Sequence, residues 1–215
     1  MNFGQIKAEV QKNLVRQQQE ITDLIPVWIN RTMQDVCRLH NFSFLKVQES
    51  ITFYENTNTY DLPATYKDEL RIWLQLTNDY KQLQPITLQE ALELFPPTTT
   101  NAEPMYYRLI DSQYIIYPTP DKNYTGILEY YQYLSELVND EDTNYITNNY
   151  PDVLINGATW RGMVWLQEGD ATLYRALYDE AVQRMISQDQ SRRIPPRVFM
   201  KYSLGAKKSP LKWKG

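Results

Sequence analysis

The sequence predicts an α+β fold, mainly helical: a helical bundle of two N-terminal helices and a C-terminal helical hairpin, an inserted antiparallel β domain, and an extended basic arm at the C-terminus. Three observations predict it. Apolar residues recur at helical spacing near both ends, as Ile6, Val10 and Leu14 and again as Val153, Gly157, Trp160 and Val164. Between them the period falls to two, punctuated by turn-forming residues. After residue 191 the acidic residues stop, and basic ones alternate with single apolar side chains. The resulting division is a helical scaffold in residues 1–43 and 149–191, a β domain with one short helix in 44–148, and an arm in 192–215.

The first helix fades into the polar run Arg16, Gln17, Gln18, Gln19, Glu20. A second is expected to start at Thr22 or Asp23 with Pro26 in its first turn, and carries Ile25, Trp28, Ile29, Met33, Val36, Leu39 and His40 on one broad face. Residues 45–54 alternate as a strand, 55–58 are turn chemistry, and 59–63 read as a short returning strand stopped by Pro63. Leu70, Ile72, Leu74 and Leu76 put one face of the next strand into a core, with Arg71, Trp73 and Gln75 opposite. Thr87 and Glu90 form a capping-box pattern that opens a short helix over residues 88–95, ended by Pro96 and Pro97. Residues 105–110, 113–117 and 124–134 are the clearest strands and predict an antiparallel meander, with Asp111-Ser112 as its tight turn. Residues 135–149 read as a long polar loop.

The hairpin follows over residues 150–193. Pro151 suits a first helical position and Asp152 the positive end of the helix dipole. Gly169 is expected to end this helix and Asp170 to cap the next, whose stripe runs Tyr174, Leu177, Tyr178, Ala181, Met185. Glycine inside a helix costs up to about 1 kcal/mol relative to alanine. Gly157 and Gly162, beside Trp160 and Arg161, therefore predict close helix packing.

Composition bounds the function. Seventeen tyrosines suit either strands with a wet face or surfaces meant for partners. The single Cys37 excludes an intramolecular disulfide, the N-terminal stretch has no secretion-signal pattern, and no apolar run is long enough to cross a membrane. The net charge of −4 conceals a split: residues 192–215 hold eight basic residues and no acidic ones, leaving 14 basic against 26 acidic residues before them. An acidic body thus carries a basic tail, a pattern that points to nucleic acid or to an acidic protein surface.

Little in the chain looks catalytic. One histidine makes a histidine-based triad or metal site improbable, and His40 near Cys37 would need two further ligands from elsewhere. The seven glycines never form a phosphate-binding loop. Asp140, Glu141 and Asp142 could attract a hard cation but lack the EF-hand spacing, and read as a solvated loop. Asp68-Glu69 and Asp179-Glu180 are adjacent pairs that point apart and read as surface residues. Arg161 lies on a solvated face or calls for a carboxylate, within the chain or across a subunit interface. No cofactor or metal is expected, and the chain is not expected to be an enzyme.

The arm comprises Arg192, Arg193, Arg197, Phe199, Lys201, Tyr202, Leu204, Lys207, Lys208, Leu211, Lys212, Trp213 and Lys214, with Pro195-Pro196 closing the helix before it. Its few separated apolar residues cannot offset the entropy of ordering so long a segment, so it is expected to order only against a partner. Basic and aromatic residues interleaved in this way bind nucleic acid. They also suit a peptide that docks on an acidic protein, which the repulsion between DNA and the acidic body favours.

The order of short phrases resembles a known family. Two N-terminal helices precede Tyr60-Asp61-Leu62-Pro63, then Tyr107-Arg108-Leu109-Ile110, Ile116-Tyr117-Pro118-Thr119-Pro120-Asp121, Tyr130-Tyr131, and Asn149-Tyr150-Pro151-Asp152 leading into the hairpin. This series resembles the head-to-tail adaptor proteins of tailed bacteriophages, the connector or gateway proteins of short-tailed phages, over most of residues 1–190. The arm matches none of its phrases. The resemblance implies a structural virion protein, assembled in the host cytoplasm. It implies a homo-oligomeric ring of twelve copies between portal and tail, which extends the DNA channel and offers a platform to tail or nozzle proteins. DNA would be transiting cargo, and no membrane is involved. The arm would grip the portal or a neighbour, and Gly157, Trp160, Arg161 and Gly162 would pack the ring wall. The alternatives are a nucleic-acid-binding module that uses the arm, and a tail-tube or stopper component.

Overall fold

The structure, a computed structural model, describes residues 1–15, 18–96, 98–167 and 171–193. In chain order its elements are α1 (Phe3–Leu14), α2 (Gln19–Leu39), a 3-10 turn (Ser43–Leu45), β1 (Lys46–Phe53), β2 (Thr59–Asp61), β3 (Tyr66–Gln75), β4 (Tyr80–Gln82), β5 (Gln84–Pro85), α3 (Leu88–Leu94), β6 (Tyr106–Ile110), β7 (Gln113–Tyr117), β8 (Tyr124–Gln132), α4 (Tyr145–Asn149), α5 (Pro151–Leu166) and α6 (Ala171–Arg193). The fold is α+β, with six α-helices and two four-stranded sheets among the described residues.

The helices surround α5. It packs against α1, α2 and α6 and is covered nearly all round, which is why it carries so few charges. Phe3, Ile6, Val10 and Leu14 of α1, Ile25, Trp28, Ile29 and Met33 of α2, Val153, Leu154, Ala158 and Met163 of α5, and Tyr178, Val182 and Met185 of α6 fill this core. The second helix begins earlier than its sequence suggests: Gln18 is its N-cap, and Pro26 lies inside it. Proline there forfeits one backbone hydrogen bond, while the buried Ile21, Ile25, Trp28 and Ile29 anchor the turns on either side. On α5 and α6 most of the expected stripe is buried, Val153 and Gly157 on one and Tyr178, Ala181 and Met185 on the other. Val164 and Leu177 are exposed, while Leu154, Met163 and Val182 are buried. The expected caps at Gly169 and Asp170, the helix stop at Pro195-Pro196, and the arm beyond Arg193 lie outside the described residues.

The β region departs from a simple meander. One sheet has the order β1-β8-β3-β4, the other β2-β7-β6-β5. The β6–β7 hairpin forms as expected, Ile110 pairing with Gln113 across Asp111-Ser112, but β8 then leaves for the other sheet, where it lies antiparallel between β1 and β3. Pro118 and Pro120 lie in that connection; neither can donate to a ladder, so the chain is released from β7. Likewise β2 pairs with β7 rather than turning back on β1. The inner faces of the two sheets meet in a second core. Phe53, Leu70, Ile72, Leu74, Tyr124, Leu128 and Tyr130 come from one side, Tyr107, Tyr114 and Ile116 from the other. Gly126 is required here, because a Cβ on it would lie 2.3 Å from the Phe53 ring.

Strand β8 joins the two cores. Neighbouring residues point to opposite faces of a strand, so Tyr130 enters the β core while Tyr131 enters the helical one. The stretch expected as a plain loop before the hairpin contains α4, which forms because the Asn144 side chain accepts from the backbone N–H of Ile146 and Thr147.

Candidate functional site

The residues singled out on the hairpin meet in one place. A Cβ on Gly157 would lie 2.4 Å from Thr32 Cγ2 and 2.9 Å from the Tyr178 ring, and one on Gly162 would lie 2.7 Å from Leu14 Cδ2. Both glycines therefore let α5 approach helices of the same chain. Trp160 stacks on Tyr178 at 6.0 Å, with the guanidinium groups of Arg161 and Arg175 at 5.4 and 5.1 Å from its ring. Arg161 ion-pairs with Asp35 and donates from Nε to Thr32 Oγ1 at 3.2 Å. Asp35 also accepts from Arg38 at 3.1 Å. Burial pushes the Tyr178 hydroxyl up to about 12, and the Asp35 charge adds to it.

Beside this cluster runs a groove of about 520 Å³ along the outer side of α2, lined by Pro26, Val27, Arg31, Asp35, Arg38, Glu136 and Arg161 among others. It gathers three arginines on a body whose charge is strongly negative.

The other polar groups singled out from sequence hold the fold together. Cys37 is fully buried, and burial raises its thiol above the usual range. His40 sits just past α2 and contacts Asp189 Oδ2 through Nε2 at 3.1 Å. The same carboxylate accepts from the Ser43 backbone N–H at 2.8 Å and from the Ser43 hydroxyl. A nucleophilic triad places histidine between serine and aspartate. Here both contact the aspartate, so the arrangement is a strut that ties the last turns of α6 to the segment entering β1. Asp189 was legible in principle, since it falls four residues after Met185 on the buried stripe of α6.

The acidic loop at residues 140–142 closes the start of α1. The carbonyls of Asp142 and Asp140 accept from the N–H groups of Phe3 and Gly4 at 3.0 and 2.9 Å, and Lys7 pairs with the Asp140 carboxylate. The Asp142 carboxylate is held below its usual range by the N–H groups of Val138 and Asn139. Asp68 and Glu69 accept from Asn41, where a bulge in β3 puts Glu69 at a φ of 54°. Next to them Lys67 donates to the His40 carbonyl at 2.9 Å, at the end of α2, and burial lowers its ammonium. Asp179 and Glu180 pair with Arg175 and Arg184 along α6.

Among the described residues, no three His, Cys, Asp or Glu side chains are grouped to hold a metal ion, and no helix is long and apolar enough to cross a membrane. Of the arm, the structure describes the first residues: Arg192 and Arg193 form the last turn of α6, and Arg192 donates to the Tyr145 hydroxyl at 2.5 Å. Tyr145 in turn stacks on Phe44 at 4.2 Å, in the 3-10 turn that leads into β1.

These contacts are those of a scaffold, and comparison with known families decides which. A sequence model of the SU10 adaptor protein family matches residues 1–200. The chain belongs to that family. It is thereby a bacteriophage head-to-tail adaptor, a structural class of protein, as the phrases from Tyr60 to Asp152 implied. No curated protein matches the sequence. The family match takes in the whole of both cores and the first part of the adaptor's basic segment, while residues 201–215 lie beyond it.

Proposed function

We propose that this adaptor assembles into a ring of twelve copies between portal and tail, extends the DNA channel there, and gives tail or nozzle proteins a platform. The family match over both cores is the observation that carries the reading. Physical features support it. The body is acidic, which suits a wall along which DNA must slide without sticking. The helices around α5 form a rigid scaffold with both its glycines in tight contacts. The basic arm, which continues beyond α6, grips the portal or a neighbouring copy, and Trp160 and Arg161 stiffen the ring wall by locking α5 to α6 and α2.

Negative-stain microscopy with and without isolated portal tests this. Rings alone, or portals capped by an added ring, are expected. A truncation that keeps residues 1–193 should fold and lose portal affinity. A monomer that ignores portal would refute the adaptor role, and undiminished binding by the truncated chain would refute the role of the arm. Salt-sensitive DNA binding that vanishes with the arm would instead support the nucleic-acid reading.

A further inference from the structure

A ring of more than two copies needs a head-to-tail contact between two different patches of the same chain. Two patches that the fold itself leaves unused are complementary. We propose that the arginine-lined groove along α2 receives α3 of a neighbouring copy; this rests on the adaptor reading and specifies the ring contact.

The groove offers Pro26 and Val27 as an apolar floor, Val27 being 41% exposed. Arg38 and Arg161 already share Asp35. Arg31, exposed on the same wall, has no ion pair among the described residues. Against its three arginines the groove sets the two carboxylates Asp35 and Glu136, which leaves one positive charge in excess. Helix α3 is its counterpart. Its sequence, LQEALEL, holds two glutamates and no cation, and Ala91 is its one buried residue. Leu88, Leu92 and Leu94 are 49%, 61% and 55% exposed, so this chain spends three leucines on a surface it does not cover. Leu88 and Leu92 stand one turn apart on one face, the spacing by which a helix anchors in a groove. Glu90 is occupied in its own cap with Thr87, which leaves Glu93, hydrogen-bonded only to Gln89, to face an arginine. A leucine edge would lie on Pro26 and Val27, with Glu93 toward Arg31.

A charge swap tests the pairing in the full-length protein, with ring formation followed by mass photometry and folding by circular dichroism. Arg31→Glu and Glu93→Arg each leave the fold intact and should raise the concentration needed for rings by about tenfold or more. Combining them should restore rings, and Leu92→Ser should weaken them without rescue by Arg31→Glu. Normal rings from both single variants, or a double variant no better than either, would overturn the contact. Loss of portal capture with rings intact would overturn it too, since the groove would then belong to the portal. Wild-type protein that never forms rings, alone or on portal, would refute the adaptor reading itself.

Discussion

Replacing Gly157 by alanine sets two opposing effects against each other. Alanine in place of a helical glycine gains up to about 1 kcal/mol in helix propensity. The added Cβ would lie 2.4 Å from Thr32 Cγ2 and 2.9–3.0 Å from two Tyr178 ring atoms. Thr32 cannot easily turn away, because its hydroxyl donates to the Trp28 carbonyl at 2.7 Å and accepts from Arg161. Tyr178 is likewise held, buried and stacked on Trp160. Overpacking costs about 1–3 kcal/mol, and an approach of 2.4 Å to a held side chain belongs in the upper part of that range, about 2–3 kcal/mol, so the clash should win and leave Gly157→Ala about 1–2 kcal/mol less stable. For a chain of this size that lowers Tm by about 2–8 °C. Thr32→Ser removes the offending methyl group and keeps the hydroxyl. In a double-mutant cycle read by urea unfolding, it should recover about 1 kcal/mol of the loss. A Gly157→Ala protein as stable as wild type, or a cycle without coupling, would refute the claim that this glycine is there for close approach.

Two further outcomes follow from the polar contacts. Asp189→Ala removes a buried carboxylate, strands the Ser43 N–H and breaks the link to His40; it should cost about 2–3 kcal/mol in urea unfolding. A loss under 0.5 kcal/mol, the size of an ordinary surface change, would show that the strut is dispensable. Glu129 concerns pH: burial raises its carboxyl, but Lys46, Gln48 and Arg71 outweigh that and hold it below its usual value. Its folded-state pKa is therefore the lower one, so its contribution to stability is complete above the ordinary glutamate value of about 4.3 and is lost as pH falls through the folded value. Wild type should accordingly lead Glu129→Gln at neutral pH and converge with it in acid, and parallel stability curves for the two proteins would contradict this.

Much of this protein is written locally. The capping box at Thr87 and Glu90, Pro151 at the start of α5, the two-residue turn at Asp111-Ser112 and the inward row of β3 were all legible, because each depends on residues within one or two turns of chain. The earlier start of α2 was hidden because Pro26 is a strong helix-start signal, overridden here by apolar packing on both sides. Helix α4 was hidden by a polar sequence whose cap, Asn144, looks like any loop asparagine.

What the sequence alone determined is the order and type of most elements, the split between an acidic body and a basic tail, and, through the order of its phrases, the family. What only the tertiary structure decided is partnership. It moved β8 into the sheet between β1 and β3, gave Arg161 to Asp35, and set His40 and Ser43 on Asp189. It also placed Gly157 against Thr32, and left Leu88 and Leu92 uncovered. Periodicity and caps are set by neighbours along the chain, but a strand's sheet or a charge's partner is chosen among groups brought together from more than a hundred residues away, as from His40 to Asp189. That choice is made by the packing of the whole chain, and no local pattern records it.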